Sequence, residues 1–145
     1  MNKITKYTIL FFCFLISACE ADQIGFLDIR NIAYPETIVI FKSTLDPDNP
    51  DDARRIQYHI PWQTLPVEGV EASTIPVYNI ERIDTEKGDK TLAIAQFTIN
   101  PGSGVISLPW DHSLPVGEYT FSIGVSNEKR ANFKIAESII TVIIQ

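Results

Sequence analysis

The chain has 145 residues, with 12 Lys plus Arg against 18 Asp plus Glu and a formal net charge of -6, enough for one core of ordinary size and too little for two. Hydrophobic residues at 45% and charged residues at 21% are globular proportions, which exclude disorder over the whole length, a collagen-like rod and a coiled coil. The acidic balance and the lack of any Lys/Arg run exclude the electrostatic footprint of a nucleic-acid binder.

Lys3 and Lys6 form a short positive segment, and residues 9–16 (ILFFCFLI) are an unbroken apolar run ending in Ser17 and Ala18. This is the pattern of a secretory signal. As a helix the run is about 12 Å long, far short of a ~30 Å hydrocarbon core, so it is not a permanent span. Leu15-Ile16-Ser17-Ala18-Cys19 resembles the bacterial lipobox, in which a branched apolar residue and two small ones precede a cysteine that is acylated and becomes residue one. An ordinary signal peptide followed by a chance cysteine is the plain alternative. Cysteine usage favours the lipid: Cys13 leaves with the signal, and Cys19 is otherwise a lone thiol in an oxidising compartment. Removing residues 1–18, which hold two lysines and no acid, leaves 127 residues with 10 basic and 18 acidic side chains. That charge opposes anionic headgroups, so membrane attachment is expected through the acyl chains, palmitate among them, each CH₂ adding about 0.8 kcal/mol. Glu20, Ala21 and Asp22 resemble the surface-export signal of Bacteroidetes lipoproteins. The expected location is the outer membrane facing the cell surface, with a periplasmic orientation as the alternative.

Residues 19–35 show little periodicity and are expected to be a lipidated N-terminus and tether, leaving 36–145 as the folded domain. Residues 37–43 (TIVIFKS) are β-branched and alternating, as strands prefer. Residues 44–52 (TLDPDNPDD) form a loop. Residues 54–60 (RRIQYHI) alternate Ile56, Tyr58 and Ile60 against Arg55, Gln57 and His59, which predicts a half-buried strand ended by Pro61. Residues 61–75 read as an irregular link, 77–83 as a strand, 84–90 as a charged turn, 91–100 as a strand, 101–104 (PGSG) as a tight turn and 105–108 as a short strand. The clearest alternation is in 119–125, with Tyr119, Phe121, Ile123 and Val125 facing a core and Thr120, Ser122, Gly124 and Ser126 facing solvent. Residues 127–130 are a turn and 138–144 (SIITVII) a final strand. About seven strands at roughly ten-residue intervals predict an all-β antiparallel sandwich.

Residues 97–106 (FTINPGSGVI), 114–121 (LPVGEYTF) and Val125-Ser126-Asn127, with Ile75-Pro76-Val77-Tyr78-Asn79-Ile80 more loosely, resemble cadherin-like and immunoglobulin-like repeats. With the lipobox, the chain is similar to lipid-anchored Bacteroidetes surface proteins whose membrane-proximal sandwich precedes glycan-binding or other modules. The resemblance implies a single immunoglobulin-like sandwich. The calcium-linking segments of cadherins do not stand here, Ser126-Asn127 lacking their carboxylate. Tyr119, opening its strand after Gly117, is placed to bury its ring and turn its hydroxyl onto a carbonyl at the corner.

Chemistry-bearing residues are sparse. Asp46, Asp48, Asp51 and Asp52, with Asn49, put hard oxygens on one loop, as Ca²⁺ requires, but without the EF-hand glycine and bidentate Glu. A solvated loop is the expectation. His59 and His112, the two histidines, have no cysteine partner in the mature chain, so zinc is not expected, nor is any cofactor. No Gly-x-Ser-x-Gly or phosphate loop is present, and Asp111-His112 is a sequence neighbour rather than a triad; an enzyme is not expected. Trp62 and Trp110, each after a proline, are candidate platforms for a sugar face, with Tyr58 and Tyr78 as further ligand-binding candidates. A buried sandwich tryptophan is the plain alternative for each. The expected function is a non-enzymatic, lipid-anchored surface interaction or spacer domain meeting other envelope proteins; the alternative is a glycan-binding module of a polysaccharide-uptake system.

Overall fold

A computed structural model describes residues 25–127 and 132–145. The expected signal peptide, Cys19 and all but the first residue of the expected 127–130 turn lie outside the described residues. In chain order the elements are β1 (Leu27–Asp28), β2 (Ile38–Phe41), α1 (Pro50–Tyr58), β3 (Trp62–Gln63), β4 (Glu71–Ala72), β5 (Val77–Asp84), α2 (Lys90–Gln96), β6 (Thr98–Ile99), β7 (Ile106–Leu108), β8 (Gly117–Ser126) and β9 (Phe133–Ile144). One layer has the order β2-β9-β8-β5, the other β3-β7-β6, and β1 with β4 forms a separate ribbon. The chain is an all-β sandwich with two short helices among the described residues.

β8 is the centre of the core. Tyr119, Phe121, Ile123 and Val125 have no solvent exposure, and Val142 and Ile140 of β9 lie beside Tyr119 and Phe121. Phe97 closes the gap between layers, its ring edge-on to Phe121 at 4.8 Å and tilted to Tyr119 at 5.9 Å. Ile106 and Leu108 of β7, both fully buried, belong to the same cluster. The expected corner is present. The Tyr119 hydroxyl donates to the Pro115 carbonyl at 3.0 Å and accepts from the Asp89 N–H at 3.3 Å, and burial pushes its phenol above the ordinary value. Tyr119→Phe leaves a carbonyl and an N–H without that partner, and is expected to cost about 1–2 kcal/mol of stability by urea unfolding with an unchanged slope.

Several sequence expectations are corrected. Residues 54–60 are not a strand: α1 runs to Tyr58. Asn49 caps it, its side chain accepting from the N–H groups of Asp51 and Asp52 at 3.0 and 3.3 Å, with Pro50 in its first turn. Asp52 is its one buried residue, so α1 lies on the surface with no apolar stripe to reveal a helical period. Residues 91–100 are also not one strand. Asp89 caps α2 through the Leu92 N–H at 2.9 Å, and β6 keeps only two residues. The 61–75 link contains β3 and β4. β2 runs parallel to β9, so the sandwich is not wholly antiparallel.

The outer face of β8 is covered too. Ser122 is 1% exposed, its hydroxyl donating to Glu137 at 3.1 Å and accepting from the Ser138 N–H at 3.1 Å. Gly124 lies under Asn79, whose side chain a Cβ would strike. In the 101–104 turn, Gly104 has φ +72°, as its sequence predicts. Packing also begins before the expected boundary at residue 36. Leu27 and Tyr34 are core residues, and the Tyr34 hydroxyl donates to the Gly104 carbonyl at 2.6 Å. Residues 27–34 are therefore part of the sandwich rather than tether, because their apolar side chains complete its N-terminal end.

Candidate functional site

The four aromatic candidates separate once the chain is folded. Tyr78 is 6% exposed and belongs to the core, where burial raises its phenol above the ordinary value; its ring is closed to a ligand. Trp62 is half-buried in β3, paired with Leu108. Phe41 stacks on it at 5.3 Å, and the Arg55 guanidinium carbon lies 3.7 Å from its ring centroid. A stacked phenyl and a guanidinium thus both cover the indole. Its indole N–H is buried without a partner among the described residues. Arg55 is itself tied down by donating to the Ile60 and Pro61 carbonyls at 2.9 and 2.8 Å.

Tyr58 is open to solvent, and Trp110 is half-buried. The helix α1 ends at Tyr58, and His59 takes a left-handed conformation (φ 53°, ψ 42°) that reverses the chain, with the Ile60 N–H donating back to the Arg55 carbonyl at 3.0 Å. That position usually holds glycine; here it holds a ring. The His59 imidazole lies 5.0 Å from the Trp110 indole at an interplanar angle of 5°. Tyr58, the neighbouring residue, is 64% exposed. The helix end thus brings His59 onto Trp110, some fifty residues later in the chain, with the exposed Tyr58 next to it in sequence; these three rings are called the aromatic shelf below. His59 escaped the sequence reading as a site residue because the expected strand put it on a polar face. The Asn49-Pro50 start of α1 was the available signal.

His112 is structural. Its Nδ1 accepts from the Leu114 N–H at 3.2 Å, so Nε2 carries the hydrogen donated to the Lys42 carbonyl at 2.9 Å. Burial pushes this imidazole below its usual value, which favours the neutral ring the two bonds require. The acidic loop is also committed locally. Asp46 accepts from the Asp48 N–H at 3.0 Å, Asp51 sits in the first turn of α1, and Asp52 accepts from Lys42 Nζ at 2.7 Å and the Asp46 N–H at 3.0 Å. No three metal-ligating side chains converge among the described residues.

Lys42, followed by the Asp46 N–H, holds the Asp52 carboxyl below the usual carboxylate range. A lowered pKa adds stability above the unfolded value of about 3.9, and that stability is lost as pH falls through the folded value. Asp52→Asn should therefore flatten the acid side of the stability profile. Urea midpoints measured from pH 6 downward are expected to fall less steeply below pH ~4 in the variant than in the parent.

A cleft of about 670 Å³ lies near the same end, built from three separated segments that no local motif connects. Asp84, Lys87, Lys90 and Glu118 give it both charges, and Val116 and Ile143 give it apolar wall. Arg82, 2.6 Å away, holds the Asp84 carboxyl below the usual range, and Lys90 stands 3.7 Å from that carboxylate. Asp84 is thereby paired with Arg82 and Lys90.

The shelf is distant from Gly25, the first described residue. Gly25 accepts a hydrogen bond from Asn132 at the start of β9, whereas Phe41, against which Trp62 packs, pairs with Ile144 at its end. Lys42, next to Phe41, meets His112, two residues beyond Trp110. The 12 residues of β9 span roughly 35 Å.

No protein-family model and no curated protein matches the chain. Among solved structures it is similar to a SusE-like surface located polysaccharide binding protein from the Bacteroides thetaiotaomicron heparin utilisation locus, at 17% identity and a TM-score of 0.53 over 78% of this chain. The chain spans only 15% of that protein's length, and at this identity the likeness is one of fold.

Proposed function

We propose that this chain is a lipid-anchored, non-enzymatic domain of the outer-membrane surface that binds polysaccharide. The observation that carries the proposal is the shelf itself: Tyr58 at 64% exposure beside a His59–Trp110 stack at 5.0 Å. A spacer has no need of rings held in water, and the free face of Tyr58 suits the apolar face of a sugar ring. His59 fixes the angle of the indole and presents ring nitrogens at the shelf edge for hydroxyl groups. The polysaccharide-binding role of the SusE-like neighbour supports this reading over the spacer role, and the lipobox-like segment ending at Cys19, with Glu20 and Asp22, supports surface display. Trp62 and Tyr78 are not part of the proposed site.

The immunoglobulin-like assignment has its own support. Taking β3 and β5 to β9 as the six strands B to G, the layers divide as B-E-D and C-F-G, the division found in immunoglobulin domains, and the Tyr119 corner stands at the start of the F strand.

The test is a glycan array followed by affinity electrophoresis of the mature chain. A polysaccharide should retard the parent protein, and Tyr58→Ala should weaken that retardation about tenfold, the loss of roughly 1.4 kcal/mol. Retardation by no polysaccharide, or retardation indifferent to Tyr58, would return the chain to the spacer role.

A further inference from the structure

The end of the sandwich opposite the shelf gathers apolar side chains in water. Phe26, Ile75 and Phe133 are 55%, 71% and 50% exposed. All three stand near Gly25. The Ser73 N–H, two residues before Ile75, donates to the Phe26 carbonyl at 3.0 Å. Asn132, next to Phe133, donates to the Gly25 carbonyl. Val77, two residues after Ile75, pairs with Ser126, and Ser126 pairs with Phe133. Ile135, 40% exposed, lies on the same face of β9 as Phe133. Single exposed apolar residues are ordinary on a surface, but a group collected from three segments marks an interaction face.

The length of chain before Gly25 identifies what covers that face. Five residues separate Cys19 from Gly25, a reach of about 20 Å when fully extended. An acylated Cys19 on so short a leash keeps this end of the sandwich at the bilayer, at high effective concentration. The net negative charge of the mature chain disfavours adhesion by charge, whereas phenyl and isoleucyl side chains enter the boundary between headgroups and acyl chains. We infer that Phe26, Ile75, Phe133 and Ile135 form a membrane-docking face, which seats the domain on the lipid surface and stands the aromatic shelf roughly 35 Å outward. The inference rests on the lipid-anchor reading of Cys19.

The test uses the mature chain, lipidated and as Cys19→Ser, with phosphatidylcholine vesicles as the probe. The Cys19→Ser chain is expected to co-sediment with vesicles. Phe26→Ser/Phe133→Ser should lower its partition about tenfold or more, while Phe26→Leu/Phe133→Leu stays within about threefold of the parent. Ile40→Ser, at an exposed position on edge strand β2, should leave partition unchanged. Circular dichroism separates these effects from unfolding; should the serine pair fail to fold, Ile75→Ser alone is expected to move partition in the same direction. A Cys19→Ser chain that stays in the supernatant, or partition indifferent to the serine pair, overturns the inference. A dimer that the serine pair dissociates overturns it in favour of a second copy. Mass spectrometry of the natural product reads acylation separately: an unmodified Cys19 with partition intact removes the anchor and leaves the face, and an acylated Cys19 without partition does the reverse.

Discussion

Phe121→Ala is expected to destabilise the chain by about 3–5 kcal/mol, a large share of the ~5–15 kcal/mol that a domain of this size holds in reserve. The ring has no solvent exposure and sits on the central strand of the four-stranded layer, edge-on to Phe97 at 4.8 Å. Removing it loses the transfer free energy of the ring and leaves a cavity between layers that a twisted sheet cannot readily close. Chemical denaturation should show a lower midpoint with an unchanged slope. A loss below about 1.5 kcal/mol would mean that the layers are not sealed at this ring.

The second large effect is a divergence between the two tryptophans. Trp62→Ala is expected to lose about 3 kcal/mol of stability, because it removes the indole that Phe41 and Arg55 cover, and the folded fraction should still bind polysaccharide. Trp110→Ala is expected to cost about 1 kcal/mol in stability, the worth of one ring stack. It should also reduce retardation in affinity electrophoresis about tenfold or more, since His59 loses the indole it stacks on. Thermal melts and electrophoresis on the same preparations read both quantities. A Trp62→Ala protein that melts normally but no longer binds, beside a Trp110→Ala protein that binds normally, would move the site from the shelf to β3.

The two indoles also show where sequence reasoning stops. Pro61-Trp62 and Pro109-Trp110 are alike locally, and each stands near the end of a predicted strand. What separates them is long-range. Trp62 meets Phe41 and Arg55, whereas Trp110 meets a histidine turned outward by a left-handed residue. Neither partner set follows from spacing along the chain.

β7, β8 and the second half of β9 were readable because apolar side chains alternate along them toward the facing layer, which gives the sequence a period of two even where, as in β8, the other face is covered as well. The Tyr119 corner was readable because glycine, tyrosine and an alternating strand follow one another without interruption. α1 was not. Ile56, Tyr58 and Ile60 happen to alternate, and a surface helix that buries only Asp52 has no apolar stripe to contradict a strand. α2 is seven residues long, about two turns, too short for a period to register.

By itself the sequence determined the class of fold and the central strands, and it set the expectation of a lipidated Cys19, since these follow from composition, local alternation or a contiguous motif. Tertiary structure alone decided which aromatic rings are core and which are exposed, that Asp52 pairs with Lys42, and that apolar residues from three segments meet near Gly25. Those outcomes depend on side chains far apart in sequence competing for the same space, and neither alternation along a strand nor spacing along a loop carries that information.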